Sequence, residues 1–170
     1  MFVVTLLFTQ EPPLKAALVS ALIIGGIFVP VTILTFVGVR RGKYTNIDVS
    51  DQGQRQQWFV TITLLLVAVT AIIWLTNQQY PLRLAVTLAC ALLICALYIN
   101  KIIKSSMHMT FHAFVSLLIL HFNTAAGLSF LILLPVLGWS RLYLKRHFFN
   151  EVLVGTCMGT VFGGLFWLLI

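Results

Sequence analysis

The residues best suited to do chemistry lie in one polar stretch, residues 140–151, between two apolar segments. This stretch holds His147 and Glu151 four residues apart, and Arg141 six residues before the histidine. If this part of the chain is helical, His147 and Glu151 share one face, one turn apart. A carboxylate placed there can accept the imidazole N–H and leave the other ring nitrogen available to attack. Arg141 offers the planar set of donors that suits phosphate oxygens.

A second polar group, residues 104–108, lies at the beginning of the apolar segment 107–122. Ser106 is a typical N-cap residue, and the first N–H groups of a helix, together with its dipole, bind anions. Ser106 and the backbone N–H of Met107 are therefore candidate phosphate ligands, while Lys104 adds charge and His108 can donate a proton. His112, one turn further on, is interpreted as a residue that hydrogen-bonds between helices, with a functional role as the alternative.

The composition places these residues in a membrane protein. Of the 170 residues, 60% are hydrophobic and 9% are charged, which leaves no room for a substantial soluble domain. The net charge of +7 comes from cations at the ends of apolar segments, which favours phospholipid headgroups over nucleic acid as partners. The three cysteines lie in apolar segments without metal-ligand spacing and are interpreted as packing residues.

Six apolar segments predict an all-α fold, a six-helix transmembrane bundle in one domain over residues 1–170. A bilayer core of about 30 Å needs ~20 apolar residues per helix, and the predicted spans are 16–39, 58–76, 82–99, 107–122, 125–144 and 152–170. Residues 1–9 are too short to span and are expected to form an interfacial or packed segment rather than a signal peptide. Alternation of the spans brings the loop with Arg55, residues 104–108 and residues 140–151 to one face, where we expect the active site at the helix ends.

Glycines in the first and last spans predict close helix contacts. Gly25, Gly26 and Pro30 indicate a kink or a close contact in the first span. Gly155, Gly159 and Gly163 repeat every four residues and form a small-residue face. This face is also the predicted surface for a homo-oligomer.

Residues 140–151 resemble the third signature of the type 2 phosphatidic acid phosphatase family: Ser-Arg, five residues, His, three residues and a carboxylate. The carboxylate is usually Asp and is Glu151 here. The family includes membrane lipid phosphatases, soluble acid phosphatases and haloperoxidases. Ser106 and His108 keep the Ser-x-His spacing of its second signature, usually Pro-Ser-Gly-His, without the Pro and the Gly.

The first signature of the family, Lys, six residues and Arg-Pro, is only approximated. Arg55 is the candidate for its Arg, but Gln56 replaces the Pro and Asp48 replaces the Lys. Lys43 or Arg41 is the candidate to compensate for the missing Lys. The chain thus resembles a divergent, short member of the family.

The resemblance implies a lipid phosphatase that cleaves a phosphomonoester or diphosphate of a membrane lipid through a phosphohistidine. His147 would be the nucleophile, Glu151 would orient it, and His108 would be the general acid and base. The implied phosphate ligands are Arg141, Lys104, Ser106, Arg55 and the Met107 backbone N–H, with Lys43, Ser140 and His112 as further candidates. With this many cations, no metal or cofactor is expected.

The implied location is a membrane, expected to be a bacterial inner membrane. The positive-inside rule favours a cytoplasmic site, whereas many bacterial relatives have theirs facing outward. Two other functions stay open. His108, His112, His147 and Glu151 form a four-ligand set for a membrane metalloenzyme, and the basic face alone would suit a non-catalytic lipid-binding or transport protein.

Overall fold

A computed structural model describes residues 13–47, 49 and 51–170, and the described residues form helices and connecting turns without a strand. The helices are α1 (Pro13–Ile23), a π-helical turn (Ile24–Phe28), α2 (Val29–Arg40), α3 (Gln52–Leu75), α4 (Tyr80–Ile99), α5 (Met107–Phe122), α6 (Thr124–Tyr143) and α7 (Phe149–Leu169). The predicted all-α fold class is confirmed. The predicted segment 1–9 and Asp48 lie outside the described residues.

Within the described part of the chain, five helical segments are long and apolar enough to cross a membrane, which makes the chain an integral membrane protein. They are Ala17–Arg40, Gly53–Leu75, Tyr80–Ile99, Thr124–Tyr143 and Phe149–Leu169. The predicted fourth span, α5, is a shorter apolar helix of 16 residues. At 1.5 Å per residue it is about 24 Å long.

By its internal contacts the chain groups into two compact units, Met1–Asn77 and Gln78–Ile170. The single domain over residues 1–170 stays a prediction. In the first unit, the π-helical turn contacts α3 so closely that a Cβ at Gly26 would lie 2.8 Å from Val69 Cγ2. Trp58 Nε1 donates a hydrogen bond to Thr35 Oγ1 at 2.8 Å and ties α3 to α2. The close contact predicted for Gly25 and Gly26 is thus present at Gly26.

The start of α3 differs from the sequence prediction, which placed it at Trp58. The helix begins at Gln52 because the side chain of Asp51 caps it, accepting a hydrogen bond from Gln54 N–H at 2.9 Å. Arg55 therefore lies in the first turn of α3, not in a loop. The prediction was wrong here because apolar character marks the part of a helix within lipid, whereas capping residues decide where the helix begins.

In the second unit, α5 packs against both α6 and α7, and α4 packs against α7. The glycine face of α7 is what allows α5 to approach. A Cβ at Gly155 would lie 2.5 Å from the Ser106 carbonyl oxygen, and one at Gly159 would clash with the Thr110 carbonyl. The close packing predicted for this face is therefore present, but its partner is α5 of the same chain. The predicted homo-oligomer through this face has no support.

Substituting Gly159 with alanine is expected to destabilise the second unit by about 1–3 kcal/mol, because the new methyl group would force α7 away from the α5 backbone. Gly164→Ala is the matched control, since a Cβ there meets nothing within 4 Å. The control should be neutral or stabilise the helix by up to about 1 kcal/mol. Thermal unfolding of both variants in the same detergent checks this. Equal unfolding temperatures would contradict the α5–α7 packing.

Candidate active site

The turn between α6 and α7 places His147. Helix α6 ends in a Schellman motif, in which Arg146 N–H donates to the Arg141 carbonyl at 3.1 Å and Lys145 N–H donates to the Leu142 carbonyl at 3.0 Å. Lys145 occupies the left-handed position of this motif, with a φ of 51°, where glycine is usual. The chain reverses here and reaches His147 just before α7 begins. His147 therefore lies in the turn between the two helices, so the helical condition under which the sequence analysis placed His147 and Glu151 on one face is not met.

His147 and Glu151 nevertheless form a close pair. His147 Nδ1 lies 2.7 Å from Glu151 Oε2, and the side chains are only 9% and 10% exposed. The same oxygen accepts the Phe148 backbone N–H at 3.2 Å, as the third helical residue does in a capping box. The positive end of the α7 dipole also favours the carboxylate there. The longer Glu side chain therefore reaches both the imidazole and the helix end.

The hydrogen bond decides which nitrogen of His147 is nucleophilic. A carboxylate can only accept, so Nδ1 carries the proton that is donated to Glu151. In the neutral ring, the lone pair then lies on Nε2. The pair thus presents Nε2 as a base or a nucleophile, and the Glu151 carboxylate stabilises positive charge that develops on the ring.

Two hydrogen bonds join the loop between α4 and α5 to Glu151 and to the residue before His147. Ser106 N–H donates to the Glu151 carbonyl at 3.0 Å, and Lys104 Nζ donates to the Arg146 carbonyl at 3.4 Å. The polar group around Ser106 and the polar stretch 140–151 therefore meet in the second unit. Because the Ser106 backbone N–H is bonded to Glu151, it does not contribute to an anion site, and Met107 is the first residue whose N–H can do so.

Three helices also converge just below the pair. A Cβ at Gly138 of α6 would lie 3.4 Å from Met109 Cε of α5 and 3.5 Å from Val152 Cγ1 of α7. On its own helix, each of these residues is within one turn of a predicted site residue: Arg141, His108 and Glu151, respectively. His108 is exposed and lies in the first turn of α5. The ends of α6, α5 and α7 thus bring these side chains to one end of the second unit.

Two buried polar atoms at this end have no hydrogen-bond partner among the described residues. They are Nε of Arg141 and Oγ of Ser106. Ser106 is the N-cap residue of α5, as predicted, but its side chain makes no capping hydrogen bond. Leaving a buried donor unpaired costs about 1–3 kcal/mol, so such atoms in a native protein call for an explanation. Both can donate to the oxygens of an anion.

His112 and Ser140 have local surroundings of their own. His112 Nε2 donates to the Phe130 carbonyl of α6 at 2.8 Å, and the two rings stack with centroids 5.7 Å apart. The sequence analysis interpreted His112 as a residue that makes a hydrogen bond of this kind between helices. Ser140 is half-buried in the last turn of α6, and its carbonyl accepts the Leu144 N–H at 3.0 Å.

The four-ligand metal set suggested by the sequence is not assembled. Within residues 13–47, 49 and 51–170, no three His, Cys, Asp or Glu side chains are grouped so that they could hold a metal ion. His112 is directed to Phe130 and Nδ1 of His147 to Glu151. The geometry of these side chains therefore does not favour the metalloenzyme alternative.

Two predicted phosphate ligands belong to the first unit. The guanidinium of Arg55 lies 5.4 Å from the centroid of the Phe59 ring, one turn further along α3. The ammonium of Lys43 lies 5.6 Å from the centroid of the Tyr44 ring. Each of these two cations thus lies beside an aromatic ring of its own unit.

The sequence analysis missed two residues that support the site, Asn100 and Ser105. Both are buried, and Asn100 Nδ2 donates to Ser105 Oγ at 3.0 Å while Asn100 Oδ1 accepts the Ser105 N–H at 3.2 Å. One signal was present, since an amide at the end of an apolar helix, just before a basic loop, needs a partner if it is buried.

A scan against protein-family models matches residues 85–170 to the PAP2 superfamily, which is half of the chain. This chain is a member of the PAP2 superfamily. The match confirms the resemblance to the type 2 phosphatidic acid phosphatase family and supports a phosphatase function. The PAP2 segment runs from α4 to the end of the chain and includes Lys104, Ser106, His108, Arg141, His147 and Glu151, but not Arg55. Searches of curated proteins and of solved structures found no match.

Proposed function

We propose that this protein is a membrane lipid phosphatase that works through a phosphohistidine at His147. The observation that carries the proposal is the buried His147–Glu151 pair at 2.7 Å, at the same helix ends as two buried donors without a partner among the described residues. Membership of the PAP2 superfamily and the membrane-spanning helices support the same function.

In the first step, Nε2 of His147 attacks phosphorus and the bond to the lipid oxygen breaks. His108 gives a proton to that oxygen as it leaves, so that the lipid departs as a neutral alcohol. In the second step, His108 takes a proton from water, the water oxygen attacks phosphorus, and the P–N bond breaks. Inorganic phosphate leaves and His147 returns to its starting state. Throughout, Glu151 accepts the Nδ1–H and balances the charge on the ring.

The transition state of each step spreads negative charge over the equatorial oxygens of the phosphoryl group. Arg141, Lys104, the Ser106 hydroxyl and the Met107 N–H are the proposed donors to these oxygens. Fixed donors in a site with little water stabilise that charge far more than solvent would. The donors are provided by the ends of α5 and α6 and by the loop before α5, so the packing of α5 against α6 and α7 sets their geometry.

The position of the site supports a lipid as the proposed substrate. The proposed catalytic residues are at the ends of apolar helices, and the turn that holds His147 is flanked by exposed aromatic side chains, Tyr143, Phe148 and Phe149. Tyrosine is one of the two residue types that are enriched at the level of lipid headgroups. A substrate whose phosphate lies in the headgroup layer and whose chains stay in the bilayer can reach His147 without leaving the membrane.

The substitution Arg141→Lys is expected to lower kcat by about 10²–10³, because lysine keeps the charge but lacks the planar pair of donors. Arg83→Lys is the matched control, since Arg83 lies in the first turn of α4 and has no proposed role. The measurement is the steady-state rate of phosphate release by the two purified variants. A wild-type rate for Arg141→Lys would remove this residue from the site.

The function is tested with a panel of lipid phosphates: phosphatidate, phosphatidylglycerophosphate, a polyprenyl diphosphate and a sphingoid phosphate. The purified protein in detergent micelles should release inorganic phosphate from at least one of them, and EDTA should leave the rate unchanged. Release that depends on an added metal ion would favour a metal-assisted reaction. Binding of these lipids without any release would support the non-catalytic function instead.

A further inference from the structure

The α4–α5 loop, residues 100–106, is anchored at both ends, and Asn100 makes the anchor at its beginning. The side chain of Asn100 is almost fully buried, with 3% of the residue exposed. Its Nδ2 donates to the Ala96 carbonyl at 2.8 Å and to Ser105 Oγ at 3.0 Å, while its Oδ1 accepts the Ser105 N–H at 3.2 Å. One amide therefore ties the last turn of α4 to the residue next to Ser106.

The other end of the loop is fastened to the turn that carries the nucleophile. Ser106 N–H donates to the Glu151 carbonyl, and Lys104 Nζ donates to the Arg146 carbonyl. The two proposed phosphate ligands of this loop thus lie between the Asn100 anchor and the His147–Glu151 pair. If the hydrogen bonds of Asn100 are lost, Lys104 and Ser106 are still present in the loop. They lose the support that sets their distance from His147.

We propose that Asn100 is a positioning residue for the phosphate site, acting through Ser105 on Lys104 and Ser106. This inference rests on the proposed phosphatase function. The residue type matters because the position needs a donor and an acceptor together, and an amide supplies both. Aspartate retains only the acceptor when it is ionised, and alanine retains neither.

The test compares Asn100→Ala with Asn123→Ala. Asn123 is also an asparagine at a helix junction, and its side chain accepts the Ala126 N–H at 2.9 Å at the start of α6. It lies at the other end of α5, about 24 Å along the helix axis. Both variants lose a local anchor, so both should unfold at a lower temperature than the wild type. Only Asn100→Ala should change the chemistry.

For Asn100→Ala we expect kcat/KM to fall roughly 10–100-fold on a lipid phosphate that the wild type hydrolyses, because a misplacement near 1 Å has an effect of this size. Inorganic phosphate, the product, should also inhibit this variant less strongly. Asn100→Asp should lie between wild type and alanine, since it keeps the acceptor for the Ser105 N–H. Asn123→Ala should stay within about threefold of the wild-type kcat/KM, the range of a change that does not reach the site.

A double-mutant cycle identifies the route of the effect. In a Lys104→Ala background, Asn100→Ala should lower kcat/KM by a clearly smaller factor than it does in the wild type, because one of the groups that Asn100 positions is already gone. Full additivity would overturn the proposal, as would a folded Asn100→Ala variant with the kcat/KM of Asn123→Ala. If Asn100→Ala does not fold, Ser105→Ala removes only the side-chain bond. An unchanged kcat/KM and phosphate inhibition in that variant would overturn the proposal, and a loss in both would support it.

The failure of this inference can be told apart from the failure of the proposed function. A wild type that releases phosphate from no lipid of the panel would overturn both. An active wild type beside an equally active Asn100→Ala variant would overturn only the positioning role.

Discussion

Replacing His147 with alanine is expected to abolish phosphate release from every lipid phosphate that the wild type hydrolyses. Alanine offers no group that can attack phosphorus, and the imidazole that Glu151 orients is gone. Donors that bind the phosphate would remain, so the variant should still bind substrate or inorganic phosphate. The measurement is single-turnover phosphate release at saturating lipid, with binding of inorganic phosphate followed separately.

His121→Ala is the matched control for His147→Ala. His121 is also in the second unit, but it lies in the last turn of α5, and its ring contacts those of Phe122, Phe166 and Trp167. Its removal should lower the unfolding temperature and leave the rate per folded molecule close to wild type. A His147→Ala variant that releases phosphate at the wild-type rate would show that another group is the nucleophile.

The second large effect is expected from Glu151→Gln, which should lower kcat by about 10³–10⁴. The amide oxygen can still accept the Phe148 N–H, so α7 should still begin correctly. The amide can also donate to Nδ1 and so favour the ring with its proton on Nε2, which cannot attack. The same change in the carboxylate–histidine pair of another hydrolase costs about 10⁴ in kcat.

Glu151→Asp separates charge from reach in this pair. Aspartate is the usual residue of the family at this position, and it keeps the negative charge, so this variant should retain far more activity than Glu151→Gln. The kcat of both variants should be expressed per folded molecule, because Glu151 also supports the start of α7. If Glu151→Gln keeps the wild-type kcat, the carboxylate does not set the protonation of His147.

The pairing of His147 with Glu151 could be predicted from their spacing, on the condition that this part of the chain is helical. His147 lies instead in the turn, and only Glu151 is helical. The contact forms because the third residue of a helix reaches back towards its N-cap, where the preceding turn delivers the histidine. Spacing therefore indicated proximity correctly but not the local structure.

The glycine face of α7 shows how far a periodic pattern can be interpreted. A repeat of four predicts which face of a helix will pack closely, and Gly155, Gly159 and Gly163 do lie in a close contact. The pattern does not contain the identity of the partner. A neighbouring helix of the same chain and a second copy of the chain are equally compatible with it, and the structure assigns α5.

The remaining features depend on contacts between residues far apart in the sequence. The bond from Ser106 N–H to the Glu151 carbonyl and the bond from Lys104 to the Arg146 carbonyl each join segments that are more than 40 residues apart in the sequence. A single sequence carries no local signal for either bond, and the same is true of Arg141 Nε, which has no hydrogen-bond partner in the part of the chain that the structure describes. Such features arise only when α5, α6 and α7 have packed, so they could not be predicted before the fold.

The most direct test of the account is to trap the phosphoryl group on the protein during turnover. The wild type is mixed with a hydrolysed lipid phosphate that carries a labelled phosphoryl group, quenched at alkaline pH within one turnover, and digested for peptide mass spectrometry. The account predicts an acid-labile phosphoryl group on the ring of His147, which appears before free phosphate and is absent from His147→Ala. Phosphate release with no label on His147, or with the label on another residue, would contradict it.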